Sequence, residues 1–247
     1  MAIYPKLVAD VVEKIGRATT VTEVIDPSPT LRLIRFASPA LIGVPWEPCQ
    51  VTAFRVGKGQ FRHYTPSRLD AEAGTGEIQV VFHSAARSAP GERLLERLEP
   101  GARVTWCGLE APRAFRWAPH PRILVLGDAT TLGLWRSFLE HPAVVLGQIS
   151  VVGAVEVAPG DEAGAASIVP GLSVVTADAI PGAALDAWLG GPGGLDSLQM
   201  LAETNVYLAG HGRSLQRLRA QLLARGAQRG RIRTHVYWTD HAKRVRS

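Results

Sequence analysis

Two domains of different grammar are expected from this 247-residue sequence: an antiparallel β-barrel over residues 1–118, then an α/β domain on a parallel sheet over residues 119–247 that ends in a basic tail. Three observations predict this fold class. The first half carries short runs rich in Val, Thr and Ile between Pro/Gly/Asp turns, and several alternate apolar with polar residues, as strands with one buried face do. The second half alternates strand-like and helical runs, the pattern of parallel strands with helices on their faces. Between them, Ala111-Pro112-Arg113 and Ala118-Pro119-His120-Pro121 end the β pattern.

In chain order, a helix over Lys6–Lys14 precedes barrel strands at Thr19–Ile25, Thr30–Phe36, Gln50–Val56, Glu77–His83 and Ala102–Cys107. One helix, Glu92–Leu98, sits between Pro90-Gly91 and Pro100-Gly101. Past the seam, Arg122–Leu126 reads as a buried strand and Leu132–Glu140 as a helix. Val144–Val157 holds one or two strands, followed by the Gly/Ala-rich stretch Ala158–Ala166. A strand at Leu172–Thr176, short helices at Gly182–Leu189 and Leu195–Glu203, and a strand at Asn205–Ala209 come next. Helix Ser214–Arg225 places Leu215, Leu218 and Leu222 on one stripe and has Gly226 to cap it. Ile232–Trp238 is the last strand.

Composition narrows the classes. A 46% hydrophobic share supports a packed core, and no apolar run reaches the ~18–20 residues that span a bilayer. Glu13 and Lys14 interrupt the region where a secretory leader needs apolar residues, so a soluble, cytoplasmic monomer is expected. The 27 Lys/Arg against 22 Asp/Glu favour anionic partners. Much of the excess lies in Arg213–Arg233 and in Lys243, Arg244 and Arg246. With no aromatic interleaving and no recognition motif, nucleic acid is not expected. Cys49 and Cys107 form no CxxC pair and read as buried free thiols. The seven histidines show no HxxxH or HxH pair, so no metal site is expected. No GxSxG, GxxxxGK[ST] or GxGxxG occurs, which speaks against serine hydrolases, P-loop enzymes and the standard Rossmann fingerprint.

The most informative stretch is Glu47–Val56 followed by Arg62-His63-Tyr64-Thr65-Pro66-Ser67. A guanidinium, an aromatic ring and a hydroxyl on one face of an extended strand suit a ligand with an anionic phosphate and a flat ring. Flavin nucleotides fit that description; an ordinary half-exposed strand would carry the same triplet.

The run resembles the ferredoxin–NADP reductase superfamily, whose members carry a PGQ-x-V strand followed by Arg-x-Tyr-Ser/Thr. Here Cys49 replaces the glycine. Later segments resemble a narrower branch, the siderophore-interacting proteins, which are cytoplasmic flavin enzymes that reduce ferric siderophores. Ile78-Gln79-Val80-Val81-Phe82-His83 leads to a helix start, with SAPGERL in place of the branch's GPAS-x-WA. Leu126-Gly127-Asp128-Ala129-Thr130-Thr131-Leu132 stands for LLVGDETALP, with Ala129 for the usual glutamate and Gly133 for the proline. Val206–Gly212 stands for WVAGE, and His235-Val236-Tyr237-Trp238 for the terminal GYW strand.

By that resemblance the barrel binds a flavin, FAD or FMN, and the α/β domain binds NADPH or NADH. Arg62 would bind flavin phosphate, Tyr64 would stack on the isoalloxazine, and Thr65 would hydrogen-bond near N5. The cofactor-binding set implied is Arg62, His63, Tyr64, Thr65, His83, Ser88, Ala89, Gly91, Gly127, Asp128, Thr130, Gly210, Arg213 and Trp238. Gly127 and Thr130 would offer donors to a pyrophosphate, and Arg213 and Arg217, near the later turn, could meet a 2′-phosphate. Lys58, Arg68, Lys243 and Arg246 are candidates for a basic rim facing an anionic ferric siderophore. The implied activity is NAD(P)H-dependent ferric-siderophore reduction. The alternatives are a reductase serving free flavin or a protein partner, and a non-catalytic binding protein on the same scaffold.

Overall fold

The structure is a computed structural model that describes residues 2–3, 5–81, 94, 96–192, 194 and 200–239. The first half forms eight strands: β1 (Ala2–Ile3), β2 (Arg17–Ser28), β3 (Leu31–Ala37), β4 (Val51–Arg55), β5 (Gln60–Tyr64), β6 (Pro66–Asp70), β7 (Thr75–Val81) and β8 (Arg103–Glu110). They pair antiparallel in the order β1-β5-β4-β8-β2-β3-β7-β6. Strands β5 and β6 belong to opposite ends of this ladder, yet Thr65 alone separates them in the chain. The sheet therefore has to curl until its ends meet, which makes it a barrel. Val21, Ile34, Phe36, Leu41, Phe54, Ile78 and Trp106 fill the interior. Helix α1 (Lys6–Lys14) seats Ala9 against Ala53, Phe61 and Cys107 outside it.

The second half forms β9 (Arg122–Asp128), β10 (Ser150–Val157), β11 (Ser173–Thr176), β12 (Asn205–His211) and β13 (Ile232–Trp238), all parallel in the order β11-β10-β9-β12-β13. Helices α2 (Leu132–Leu139), α3 (Glu162–Ile168), α4 (Ala183–Gly190) and α5 (Gly212–Ala224) cover the faces. Along β9, Ile123 and Val125 pack with Trp135, Phe138, Ile168 and Tyr207, whereas Leu124 and Leu126 pack with Leu185, Leu208, Leu215, Leu218 and Leu222. Burial on both faces explains the uninterrupted apolar run of β9. From β9 the chain builds outward through β10 and β11, then returns to the other side for β12 and β13. The order thus reverses beside β9, creating the switch point where open α/β sheets bind ligands.

The halves share a core. Helix α2 packs on β6 and β7, and Leu31 and Cys49 of the barrel join the cluster that holds Phe115, Trp135 and Tyr207. Asp161, 1% exposed, accepts the Ser28 and Thr30 hydroxyls across the junction. After β8 ends at Glu110, Phe115 packs against Tyr207 of β12 and Trp117 against Phe138 of α2.

Several local expectations need correction. Strand β6 was not foreseen, because it opens on Pro66; it is tolerated at the first residue of an end strand, where no ladder N–H is required. The Gly/Ala-rich stretch contains helix α3, whose seven residues are too short and too small-sided for a clear apolar stripe. Val144–Val157 holds the single strand β10, preceded by a one-turn helix at Pro142–Val145. Residues 92, 93 and 95 of the expected helix Glu92–Leu98, and Leu195–Gln199 of the next expected helix, lie outside the described residues; Leu201–Glu203 is a 3-10 turn.

Candidate functional site

Strand β5 sets Arg62 and Tyr64 on one face by its two-residue period and sends the exposed His63 to the other. Register with β4 puts Thr52 beside Tyr64 and Phe54 beside Arg62. The Tyr64 ring leans on Phe54 at 5.2 Å between centroids, which fixes its plane. Arg62 is half-buried and has no hydrogen-bond or ion-pair partner among the described residues. Thr52 is fully buried, and its hydroxyl also lacks a partner there. A held ring, an uncompensated guanidinium and an orphaned hydroxyl on adjacent strands form a surface that a flat anionic ligand would complete.

Thr65 departs from the expected geometry. It sits in the break between β5 and β6, one residue out of phase with Arg62 and Tyr64, and does not share their face. Its hydroxyl lies 3.0 Å from that of Tyr237 on β13. Burial pushes the Tyr237 phenol well above its ordinary range, so it stays protonated and able to donate. Two residues back, His235 lies between the rings of Phe115 and Tyr237, and burial together with nearby His63 pulls its pKa below the usual value. Strands β5 and β13 thus face each other across the junction.

Cys49 explains its own departure from the glycine pattern. Its φ is 73°, a left-handed backbone that favours glycine, yet the residue is 1% exposed within the shared core. Burial raises its thiol pKa strongly, so it is packed as an inert thiol.

At the switch point a small cavity of about 20 Å³ opens over the carboxyl ends of the strands, lined by Gly127, Asp128, Glu156, Gly182, Ala209, His211, Ser214 and Trp238 among others. Asp128 organises it. One carboxylate oxygen accepts the Thr130 N–H at 3.0 Å and the Thr130 hydroxyl; the other accepts the His211 N–H at 2.8 Å and the Trp238 indole N–H at 2.9 Å. Gly127 and Gly210 follow from this. A Cβ at Gly127 would stand 2.6 Å from the Ala209 carbonyl, and Gly210, at φ 118°, leaves space that the Asp128 carboxylate fills. The Trp238 ring also packs, tilted, against His211 at 4.4 Å between centroids. Ser214 gives its hydroxyl proton to the Pro181 carbonyl at 2.7 Å, so its oxygen accepts from Nδ1–H of His211 at 2.9 Å.

Glu156, 4% exposed, is the penultimate residue of β10, beside Asp128 in register, and caps α4. Its carboxylate accepts the N–H of Gly182 at 2.7 Å and of Ala184 at 3.1 Å. Burial pushes its pKa up against the pull of those donors.

The pyrophosphate role expected of Thr130 meets a competitor, since both of its donors point at Asp128. Arg213 is exposed at the start of α5, while Arg217 is held by Asp186 at 3.0 Å and by the Pro181 carbonyl at 2.6 Å. Lys58 does not fit a rim at Thr65: it stands at the β4–β5 turn, six extended residues or roughly 20 Å from Tyr64. Arg68 is exposed on β6, opposite Glu77 in register. His83, Ser88, Ala89, Gly91, Lys243 and Arg246 lie outside the described residues. Sequence reasoning passed over Thr52, Glu156, Ser214 and Tyr237. Of these, only Glu156 carried a signal, a lone carboxylate in the apolar run Val151–Val157. Among the described residues, no group of three or more His, Cys, Asp or Glu is placed to hold a metal, and no helix is long and apolar enough to cross a membrane.

No family model matches the sequence, and no curated protein matches it significantly. Solved structures do match. The siderophore-interacting protein of Acinetobacter baumannii superposes with a TM-score of 0.69 at 18% identity, covering 91% of each chain. The siderophore-interacting protein SipS of Aeromonas hydrophila gives 0.65 at 19%, over 91% of this chain and 99% of the other. A ferredoxin–NADP+ reductase of Neisseria gonorrhoeae, solved with bound FAD and NADP, gives 0.68 at 16%, over 90% and 98%. With a curled antiparallel barrel joined to a five-stranded parallel sheet, the chain has the two-domain fold of the ferredoxin–NADP reductase superfamily, which siderophore-interacting proteins share.

Proposed function

We propose that the protein is a flavin-dependent NAD(P)H oxidoreductase acting on ferric siderophores. The observation that carries this reading is Arg62 and Tyr64 on one face of β5, beside the orphaned Thr52 hydroxyl. Arg62 would pair with a flavin phosphate, Tyr64 would set the plane of the ring, and Thr52 or Thr65 would give a hydrogen bond to a ring heteroatom. Held there by Arg62, Tyr64 and Thr52 or Thr65, a flavin would supply the relay between a two-electron nicotinamide donor and two one-electron ferric acceptors, with one proton released overall. The names of the structural neighbours from Acinetobacter baumannii and Aeromonas hydrophila support a siderophore as the acceptor.

The test is an anaerobic absorption spectrum of FAD-loaded protein before and after NADH or NADPH, followed by a ferric siderophore and a ferrous-specific chromogenic chelator. Bleaching, then return of the flavin bands with stoichiometric Fe²⁺, is expected. A colourless protein that takes up no FAD would overturn the reading. A second reading, a binding protein without turnover, draws on Asp128 holding both Thr130 donors. A yellow protein that neither nicotinamide bleaches would favour it.

A further inference from the structure

We infer that Glu156, with Asp128 beside it, makes the switch-point cavity select a nicotinamide donor that lacks a 2′-phosphate, so that NADH is preferred to NADPH. The inference rests on the nicotinamide reading above and specifies its ligand. Three features of the cavity carry it.

The first is position. Glu156 is the penultimate residue of β10, the strand next to β9, and its register partner across the ladder is Asp128. Neighbouring parallel strands lie about 4.8 Å apart, so two carboxylates line one rim of the cavity. A vicinal ribose diol brings two donors to such a rim. A phosphate in the same place brings acceptors and negative charge only.

The second is the state of the donors. The N-terminus of α4 would otherwise attract a phosphate. Here Glu156 already takes the N–H groups of Gly182 and Ala184, and Asp128 takes those of Thr130 and His211. Asp128 also takes the Thr130 hydroxyl and the Trp238 indole N–H, so its acceptor positions are filled and it acts here through its charge. Glu156, which also accepts from the Leu185 backbone, keeps room for one more donor, so a ribose hydroxyl can be added where a phosphate cannot.

The third is a cation at the rim. Arg217 reaches this rim, but its guanidinium binds the Asp186 carboxylate and the Pro181 carbonyl. Reading a 2′-phosphate with it would require breaking that pair.

Calorimetric titration of FAD-loaded protein with ADP-ribose and with 2′-phospho-ADP-ribose tests this without turnover. ADP-ribose should bind at least about tenfold tighter. In Glu156→Gln, with folding checked by thermal melting, the ratio should narrow through tighter binding of the 2′-phosphorylated ligand. Equal or tighter binding of 2′-phospho-ADP-ribose to the wild type would overturn the inference while leaving the nicotinamide reading intact; so would an unchanged ratio in folded Glu156→Gln. Binding of neither ligand would overturn the nicotinamide reading and this inference with it. Should the variant fail to fold, the wild-type ratio decides alone.

Discussion

The hydroxyls of Thr65 and Tyr237 meet at 3.0 Å although 172 residues separate them in the chain. This contact ties the point where the barrel closes to the edge strand of the parallel sheet, at the seam that the proposed flavin would share. Replacing Tyr237 by Phe removes one partner and keeps the ring. A loss of about 1 kcal/mol in urea unfolding is expected, typical of one net hydrogen bond.

Arg62 and Arg68 lie on strands that follow one another in the chain but have different surroundings. Arg62 is half-buried beside Tyr64, while Arg68 is exposed. Arg62→Ala should weaken FAD binding about ten- to a hundredfold, the worth of a charge-assisted contact, with Arg68→Ala near wild type. Fluorescence titration of the apoprotein with FAD checks this, and equal losses would remove Arg62 from the phosphate role.

Asp128→Asn puts an amide N–H₂ where one carboxylate oxygen receives two donors. Whichever way the amide turns, donors face donors at either Thr130 or the His211 and Trp238 pair. A loss of about 2–3 kcal/mol is expected from urea midpoints. A change below ~0.5 kcal/mol would mean that Asp128 does not organise the cavity.

Cys49 reverses a common rule. Alanine normally outlasts glycine, but at φ 73° the glycine is unstrained. Cys49→Ala retains the strained backbone and leaves a void, whereas Cys49→Gly leaves a slightly larger void and removes the strain. The glycine variant should be the more stable by about 0.5–1 kcal/mol in thermal or urea unfolding.

Acidification should weaken the fold through His235, whose folded pKa lies below the usual value because of burial and His63. The unfolded chain binds that proton first, so this contribution is present above pH ~6.5 and is lost as pH falls through the lower folded pKa. Glu156 is shifted in the opposite sense, so the measurement is the difference between wild type and His235→Gln, which cancels it. Between pH 7.5 and 5.5 the wild-type melting temperature should fall further than that of the variant.

The elements that stand alone were legible in the sequence. Helix α5 announces itself by Leu215, Leu218 and Leu222, and β9 by its apolar run, because each pattern answers to packing within a few residues. Arg62, Tyr64 and Thr65 were legible as a group, but Thr65 was placed on the wrong face, since the strand break that turns it toward Tyr237 is set by barrel closure. The switch-point cavity was only partly visible. Asp128, Glu156, His211 and Trp238 come from four strand ends, and only the sheet order makes them neighbours.

The same sheet order dictates a timetable for the emerging polypeptide. Every barrel strand precedes Arg122, whereas β13 is the last strand of the other sheet. During synthesis the barrel can close while the surface destined for Tyr237 still faces water, and the seam is sealed only once the final strand has docked. Nascent chains stalled before Ile232 should therefore yield a protease-resistant barrel with an unprotected second half.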